Sequence, residues 1–191
     1  LLPKKIDKAL RNAVEENIGE EYQLQYDEID VGLIGGDITI NSIKLSAPKD
    51  ISNEKRHQID SLSIDKIAVR GVDAFAYLFS KKIDIETIRL TKPWAWLRPV
   101  EKDTAGTGDD KSKKSSKIES YTLGEFEIND ANILHYDAAT GTDTLHSVGS
   151  LDFSISEIGY KPTEDSADIM EKMDWGMAQL HIKDVIHKTS K

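Results

Sequence analysis

Residues 37–45 read DITINSIKL: Ile38 and Ile40 alternate with polar neighbours as in a half-buried strand, and then the alternation breaks. The pair Asn41-Ser42 stands where one polar residue belongs, and Ile43 and Leu45 resume in the opposite step. The segment defines a nine-residue template, apolar at its second, fourth, seventh and ninth places. Seven segments fit it: QLQYDEIDV from Gln23, DITINSIKL from Asp37, SLSIDKIAV from Ser61, KIDIETIRL from Lys82, EFEINDANI from Glu125, DFSISEIGY from Asp152 and QLHIKDVIH from Gln179. Of their 28 apolar places only His187 departs, and of the 35 others only Ala68, Gly159 and Ile186 are neither polar nor charged. Chance alternation does not persist over so many places, so the chain is built on a repeated strand.

The polar pair sets a geometric problem, because in a regular strand residues three apart lie on opposite faces. Two arrangements solve it. A bulge at each pair keeps all four apolar residues on one face and curves the sheet. Alternatively, each strand passes between two packed layers and buries opposite faces in its two halves. Stacked bulges are the usual source of sheet curvature, so the first arrangement is preferred. The expected fold is mainly β, of the α+β kind. A long, curved, mostly antiparallel sheet of bulged strands is accompanied by an N-terminal helix and two short helices, and forms a groove or partly open barrel.

The connections agree. Gly35-Gly36 reads as a hairpin turn, and residues 138–143 as the turn between a strand ending near Asp137 and a longer one from Thr144 to Tyr160. Ile6, Ala9, Leu10, Ala13, Val14 and Ile18 stand at helical spacing over residues 3–18, with Pro3 at the start and Gly19 just past the end. Glu15 and Glu16 among the lysines of the polar side favour packing on the domain over a membrane surface. The two short helices fall at VDAFAYLFSKK, residues 72–82, and TEDSADIMEK, residues 163–172; Asp73 caps the first, which turns Phe75, Leu78 and Phe79 inward. Trp94 and Trp96 share one face of a strand within residues 91–99, and residues 101–116 read as a flexible internal loop.

A length of 191 residues suits one domain, here taken as 1–191. The net charge of −9 argues against a nucleic-acid partner, whose phosphates need clustered Lys and Arg. Without cysteine there is no disulfide, thiolate-zinc site or cysteine nucleophile. No apolar run nears the ~20 residues of a membrane-spanning helix. The opening LLPKKIDKAL lacks an initiator Met, and a removed signal or membrane anchor before Leu1 is expected.

Catalytic chemistry is not evident. Of the histidines His57, His135, His146, His181 and His187, His135 and His146 are placed to face one another across the 138–143 turn, and His181 and His187 flank the last repeat. No third ligand accompanies either pair, so no metal site is expected. Gly35-Gly36 lacks the further glycines and the helix of a phosphate cradle, and DAATGTD lacks calcium-ligand spacing. The carboxylates recur at the polar strand places and make a solvated face. No enzyme activity and no cofactor are expected.

The opening helix, VGLIGGDITINSIKL from Val31 and IDSLSIDKIAVRGVDAFAYLFSKKIDIETIRLTKPWAWLRP from Ile59, in that order, resemble the periplasmic N-terminal region of AsmA-like proteins. The resemblance covers residues 1 to about 160 and is strongest from Val31 to Pro99. GLIGGDITINSIKL is also similar to the opening of chorein-type bridge proteins, of the same broad class of repeating β-groove modules. The resemblance implies an inner-membrane anchor before Leu1 and a periplasmic location in a Gram-negative bacterium. It also implies a groove that takes part in phospholipid transport or outer-membrane maintenance. The chain is much shorter than full-length members, so a C-terminal remainder of the same protein is an implied partner, and no catalytic residue carries over.

An apolar face that three short helices cannot cover would contact acyl chains, strands of nine residues spanning ~30 Å. The groove candidates are Ile40, Ile43, Ile64, Ile67, Ile85, Ile88, Ile128 and Ile155, with Trp94 and Trp96 lining the groove or plugging its mouth. The alternative is a closed sandwich or barrel with a dry core, a structural or interaction domain that binds no lipid.

Overall fold

A computed structural model describes residues 2–32, 35–48, 59–72, 82–97, 120–137, 144–160 and 173–189. Helix α1 (Leu2–Asn17) is followed by β1 (Gln23–Gln25), β2 (Glu28–Gly32), β3 (Asp37–Ser46), β4 (Ile59–Arg70), β5 (Lys82–Thr91) and β6 (Trp94–Leu97). Then come β7 (Ser120–Asp137), β8 (Thr144–Tyr160), β9 (Met173–Asp174) and β10 (Ala178–Thr189). Each repeat lies on one strand, except that the first is divided between β1 and β2. The end of β7 and both limits of β8 are those the sequence predicts. Of the segment read as a short helix at 72–82, residues 73–81 lie outside the described residues and Lys82 opens β5; the segment read as a helix at 163–172, the 101–116 loop and the 138–143 turn lie outside them as well.

All the strands join one sheet, in the order β1–β3–β4–β5–β7–β8–β10, with β2 on β3, β6 bridging β4 and β7, and β9 on β8. Neighbours run antiparallel except at β5–β7 and β6–β7, which are parallel. A parallel neighbour requires the chain to return to the end it started from, and residues 98–119 intervene there. The sheet is therefore mixed but mostly antiparallel.

The polar pairs have a structural meaning that no single strand reveals. Ser42, Asp130 and Glu157, each the sixth place of its repeat, adopt left-handed φ values of 54°, 57° and 57°, and Lys92 and Ser150 join them at 49°. Laid on the register, these residues fall on two lines that cross the sheet. Along the first, Ser42 stands opposite Asp65, Asp65 opposite Lys92 and Lys92 opposite Asp130, and on β8 and β10 Ser150 stands opposite Lys183. Backbone bonds stitch this crease where the ladder lapses: Asp27 N–H to Asn41 C=O at 3.0 Å and Lys92 N–H to Asn129 C=O at 2.8 Å. Along the second, Gly71 stands opposite Glu86, Glu86 opposite Gly124 and Gly124 opposite Glu157. Glycine is required here by close approach. A Cβ on Gly124 would lie 2.6 Å from the Glu86 carbonyl oxygen, and one on Gly71 2.3 Å from the Glu86 side chain.

Creases modify the expected bulge. β3 and β4 keep one register on both sides of Ser42 and Asp65, because both strands turn together and neither gains a residue on the other. At the creases β7–β8 shifts, by one residue between Ile128 and Ala131, and back again between Ala131 and Ile133; β4–β6 shifts away from them, between Ile59 and Ser61. The outcome for the side chains is the one a bulge would give. Ile40, Ile43 and Ile64 form one buried cluster, with Ile67 and Leu62 packed against it, so both sides of the crease face the same way. Ile6 and Leu10 of α1 close over this cluster, and buried Tyr22 anchors the segment after the helix by donating its hydroxyl to the Ile59 carbonyl at 2.9 Å.

Candidate functional site

Register partners share a face, and following them across the sheet gives continuous apolar rows. One row runs Ile29, Ile40, Ile67, Leu90, Ile128, Phe153, Leu180 from β2 to β10. The next runs Val31, Ile38, Val69, Ile88, Phe126, Ile155, Ala178. Beyond the first crease a third runs Leu24, Leu45, Leu62, Ala95, Ile133, Val148, Val185. No polar residue interrupts any of them. The template's apolar places thus line one face of the sheet from β2 to β10, on both sides of the first crease.

The face is covered at one end and open at the other. Beneath α1, Ile40 and Leu45 are 4% and 3% exposed, whereas on β10 Leu180, Ile182 and Val185 are 61%, 41% and 71% exposed. The helix is held down by polar contacts as well. Tyr26 donates its hydroxyl to the Asp7 carboxylate, Arg11 Nε donates to Asp7 Oδ1 at 2.8 Å, and Arg11 Nη1 donates to the Leu24 carbonyl at 3.3 Å. The Tyr26 hydroxyl, with Arg11 beside it, holds the Asp7 carboxyl below the usual carboxylate range. Burial, and then the neighbouring carboxylate, push the Tyr26 phenol up.

The other face carries the polar places of the repeat, with Trp94, Trp96, Leu134 and Ile186 as an apolar exception. Arg89 grips the Glu127 carboxylate with two nitrogens, Nε and Nη2, the latter at 2.9 Å from Oε1. The guanidinium holds Glu127 below its ordinary range. The two are register partners across the parallel β5–β7 pair, so this bond is a strand clamp. Beside it a hollow of about 270 Å³ is lined by Glu125, Asn129, Asp152, Gln179 and His181. A second, of about 190 Å³, lies between the end of α1 and β1, against Arg11, Val14, Tyr22 and Leu24.

The eight isoleucines read as groove candidates fall into two groups by exposure. Ile40, Ile43 and Ile64 are core under α1, while Ile67, Ile85, Ile88, Ile128 and Ile155 are half-buried. Ile85 pairs with Leu123 and that with Ile158, beyond the second crease. Trp94 and Trp96 pair with Ser63 and Ser61, on the face opposite Leu62 and Ile64, and so stand apart from the isoleucines. The left-handed turn at Lys92 resets the alternation just before them. The residues sequence reasoning passed over are Leu180, Ile182 and Val185, apolar places of the last repeat. Their signal was position, since a terminal repeat has a neighbour on one side only.

Among the described residues no group of three His, Asp or Glu is arranged to hold a metal ion, and no helix is long and apolar enough to cross a membrane. No protein-family model matches the chain, and no curated protein matches it.

Proposed function

We propose that this chain is a non-enzymatic lipid-binding module. Its apolar sheet face contacts acyl chains as part of a membrane-anchored, periplasmic AsmA-like protein that serves phospholipid transport or outer-membrane maintenance. The observation that carries the reading is the run of apolar rows from a helix-covered core to solvent at β10, where Leu180 and Val185 are 61% and 71% exposed. Large contiguous apolar surface on a folded chain marks a ligand or partner. A face several strands wide suits an extended hydrocarbon chain better than a compact polar molecule, and the repeat's polar places on the opposite face stay in water.

Mass spectrometry of solvent extracts from the purified protein tests the reading. Phospholipid or fatty acid is expected with the native chain and is expected to be lost from a Leu180→Asp, Ile182→Asp variant, whose altered residues are exposed enough to leave the fold intact. Extracts free of lipid from a native protein purified without detergent would count against it.

One observation favours a second reading, an interaction domain that extends its sheet. Among the described residues β10 has a full-length strand neighbour on one side only, β8, and an apolar strand at a sheet edge invites another strand. Self-association in sedimentation velocity that a proline at Ile186 abolishes, with no lipid in the extracts, would select it.

A further inference from the structure

Where the third apolar row ends, the next row turns to histidine. Leu97 pairs with His135, His135 with His146, and His146 with His187, on the neighbouring strands β6, β7, β8 and β10. Ring centres of His135 and His146 are 5.9 Å apart, and those of His146 and His187 are 4.6 Å apart. The Nδ1 atoms of His146 and His187 approach to 3.1 Å. The register thus brings together residues that sequence spacing separates. His181, the expected companion of His187, pairs with Asp152 and lies on the polar face.

The 3.1 Å separation is that of two ligands on one ion. Nitrogens each ~2.0–2.1 Å from a metal are about 2.9–3.4 Å apart for angles between square-planar and tetrahedral. Without an ion, one Nδ1 donates to the other. With an ion, both nitrogens turn lone pairs to it, at no cost in backbone rearrangement. Imidazole suits ions of intermediate softness and not the oxygen-seeking Mg²⁺ or Ca²⁺.

We propose that His146 and His187 chelate a divalent transition-metal ion of the Ni²⁺, Cu²⁺, Zn²⁺ group as a two-histidine site through Nδ1, with water completing the coordination. The site sits at the solvent-exposed end of the apolar face and clips β8 and β10 together.

Isothermal titration of the untagged chain with Ni²⁺, repeated with Zn²⁺, tests the assignment. One ion per chain is expected. His146→Ala and His187→Ala should each weaken binding at least tenfold, and His135→Ala and His181→Ala by less than twofold. Circular dichroism of each variant separates lost ligation from lost fold. Unchanged affinity in the folded His146→Ala, His187→Ala double variant overturns the site, as does a loss in His181→Ala as large as in the pair. Absence of binding by the folded native chain at millimolar Ni²⁺ and Zn²⁺ overturns it as well.

Discussion

Replacing Ser42 by valine puts the crease under direct strain. Ser42 sits in β3 at φ 54°, a conformation that costs an L-residue ~1–2 kcal/mol and that β-branched side chains almost never adopt. The chain has two responses. It can keep the left-handed turn and bear about 1–2 kcal/mol more than serine does. Or it can relax to extended backbone, which reverses the alternation after residue 42 and turns Ile43 and Leu45 out of the core. Those two residues are 8% and 3% exposed, and removing both from the core costs about 3–6 kcal/mol at ~1.5–3 each. The smaller penalty wins, so Ser42→Val should keep the fold and lose about 1–2 kcal/mol. Ser42→Gly relieves the turn but adds chain entropy, and should stay within about 1 kcal/mol of the native chain. Lys44→Val, exposed and extended two residues on, is the control and should change stability by ~0.5 kcal/mol or less. Urea denaturation followed by circular dichroism reads all three. A Ser42→Val protein as stable as Lys44→Val would refute the left-handed turn and the crease built on it.

Other consequences are open to the same assay. Ile64→Ala removes a side chain 7% exposed at the centre of the buried cluster and should cost about 2–5 kcal/mol. Gly124→Ala places a Cβ 2.6 Å from the Glu86 carbonyl oxygen. Because the obstacle is backbone, a loss of about 1–3 kcal/mol is expected, against ~0.5 kcal/mol or less for the Lys44→Val control. Glu127 is held below its ordinary range by Arg89, so its contribution is present above the unfolded carboxyl value of ~4.3 and lost as pH falls through the lower folded one. Glu127→Gln should therefore be less stable than native at pH 7 by about 0.5–1 kcal/mol, Arg89 being partly solvated. That gap should close on acidification below about pH 4; a gap that is constant with pH would show that the clamp is not ionic.

Much of this fold is legible in its sequence, because sheet faces are written in alternation. The template places every long strand, and it finds the 137/144 limits of β7 and β8 because turn residues separate two apolar phrases. The second crease on β7 and the first on β8 escape a nine-residue template, although their signature is present. Leu123-Gly124-Glu125-Phe126 and Val148-Gly149-Ser150-Leu151 repeat the apolar, two, apolar spacing of Ile40 to Ile43. The parallel placement of β5 beside β7 is invisible, since alternation carries no strand direction. The tryptophan face is equally hidden: Trp94-Ala95-Trp96-Leu97 alternates correctly, and only the backbone turn at Lys92 decides which set faces the apolar side. Exposure is the hardest property to foresee. Ile40 and Ile182 occupy the same place in their repeats, yet one is 4% and the other 41% exposed, because α1 covers one end of the face and β10 lies at the other. Of the histidine row, the His135–His146 pair is legible from the 138–143 turn, whereas the place of His187 depends on the β8–β10 register, which no local pattern specifies.

The central claim is that one face of the sheet, and not the other, receives acyl chains. It is tested most directly by installing a photoreactive amino acid at two adjacent positions of β10, Ile182 on the apolar face and His181 on the polar face, and illuminating each protein with phospholipid vesicles. The account predicts lipid adducts at position 182 and none above background at 181. Equal labelling at both positions, or labelling at 181 alone, would contradict it.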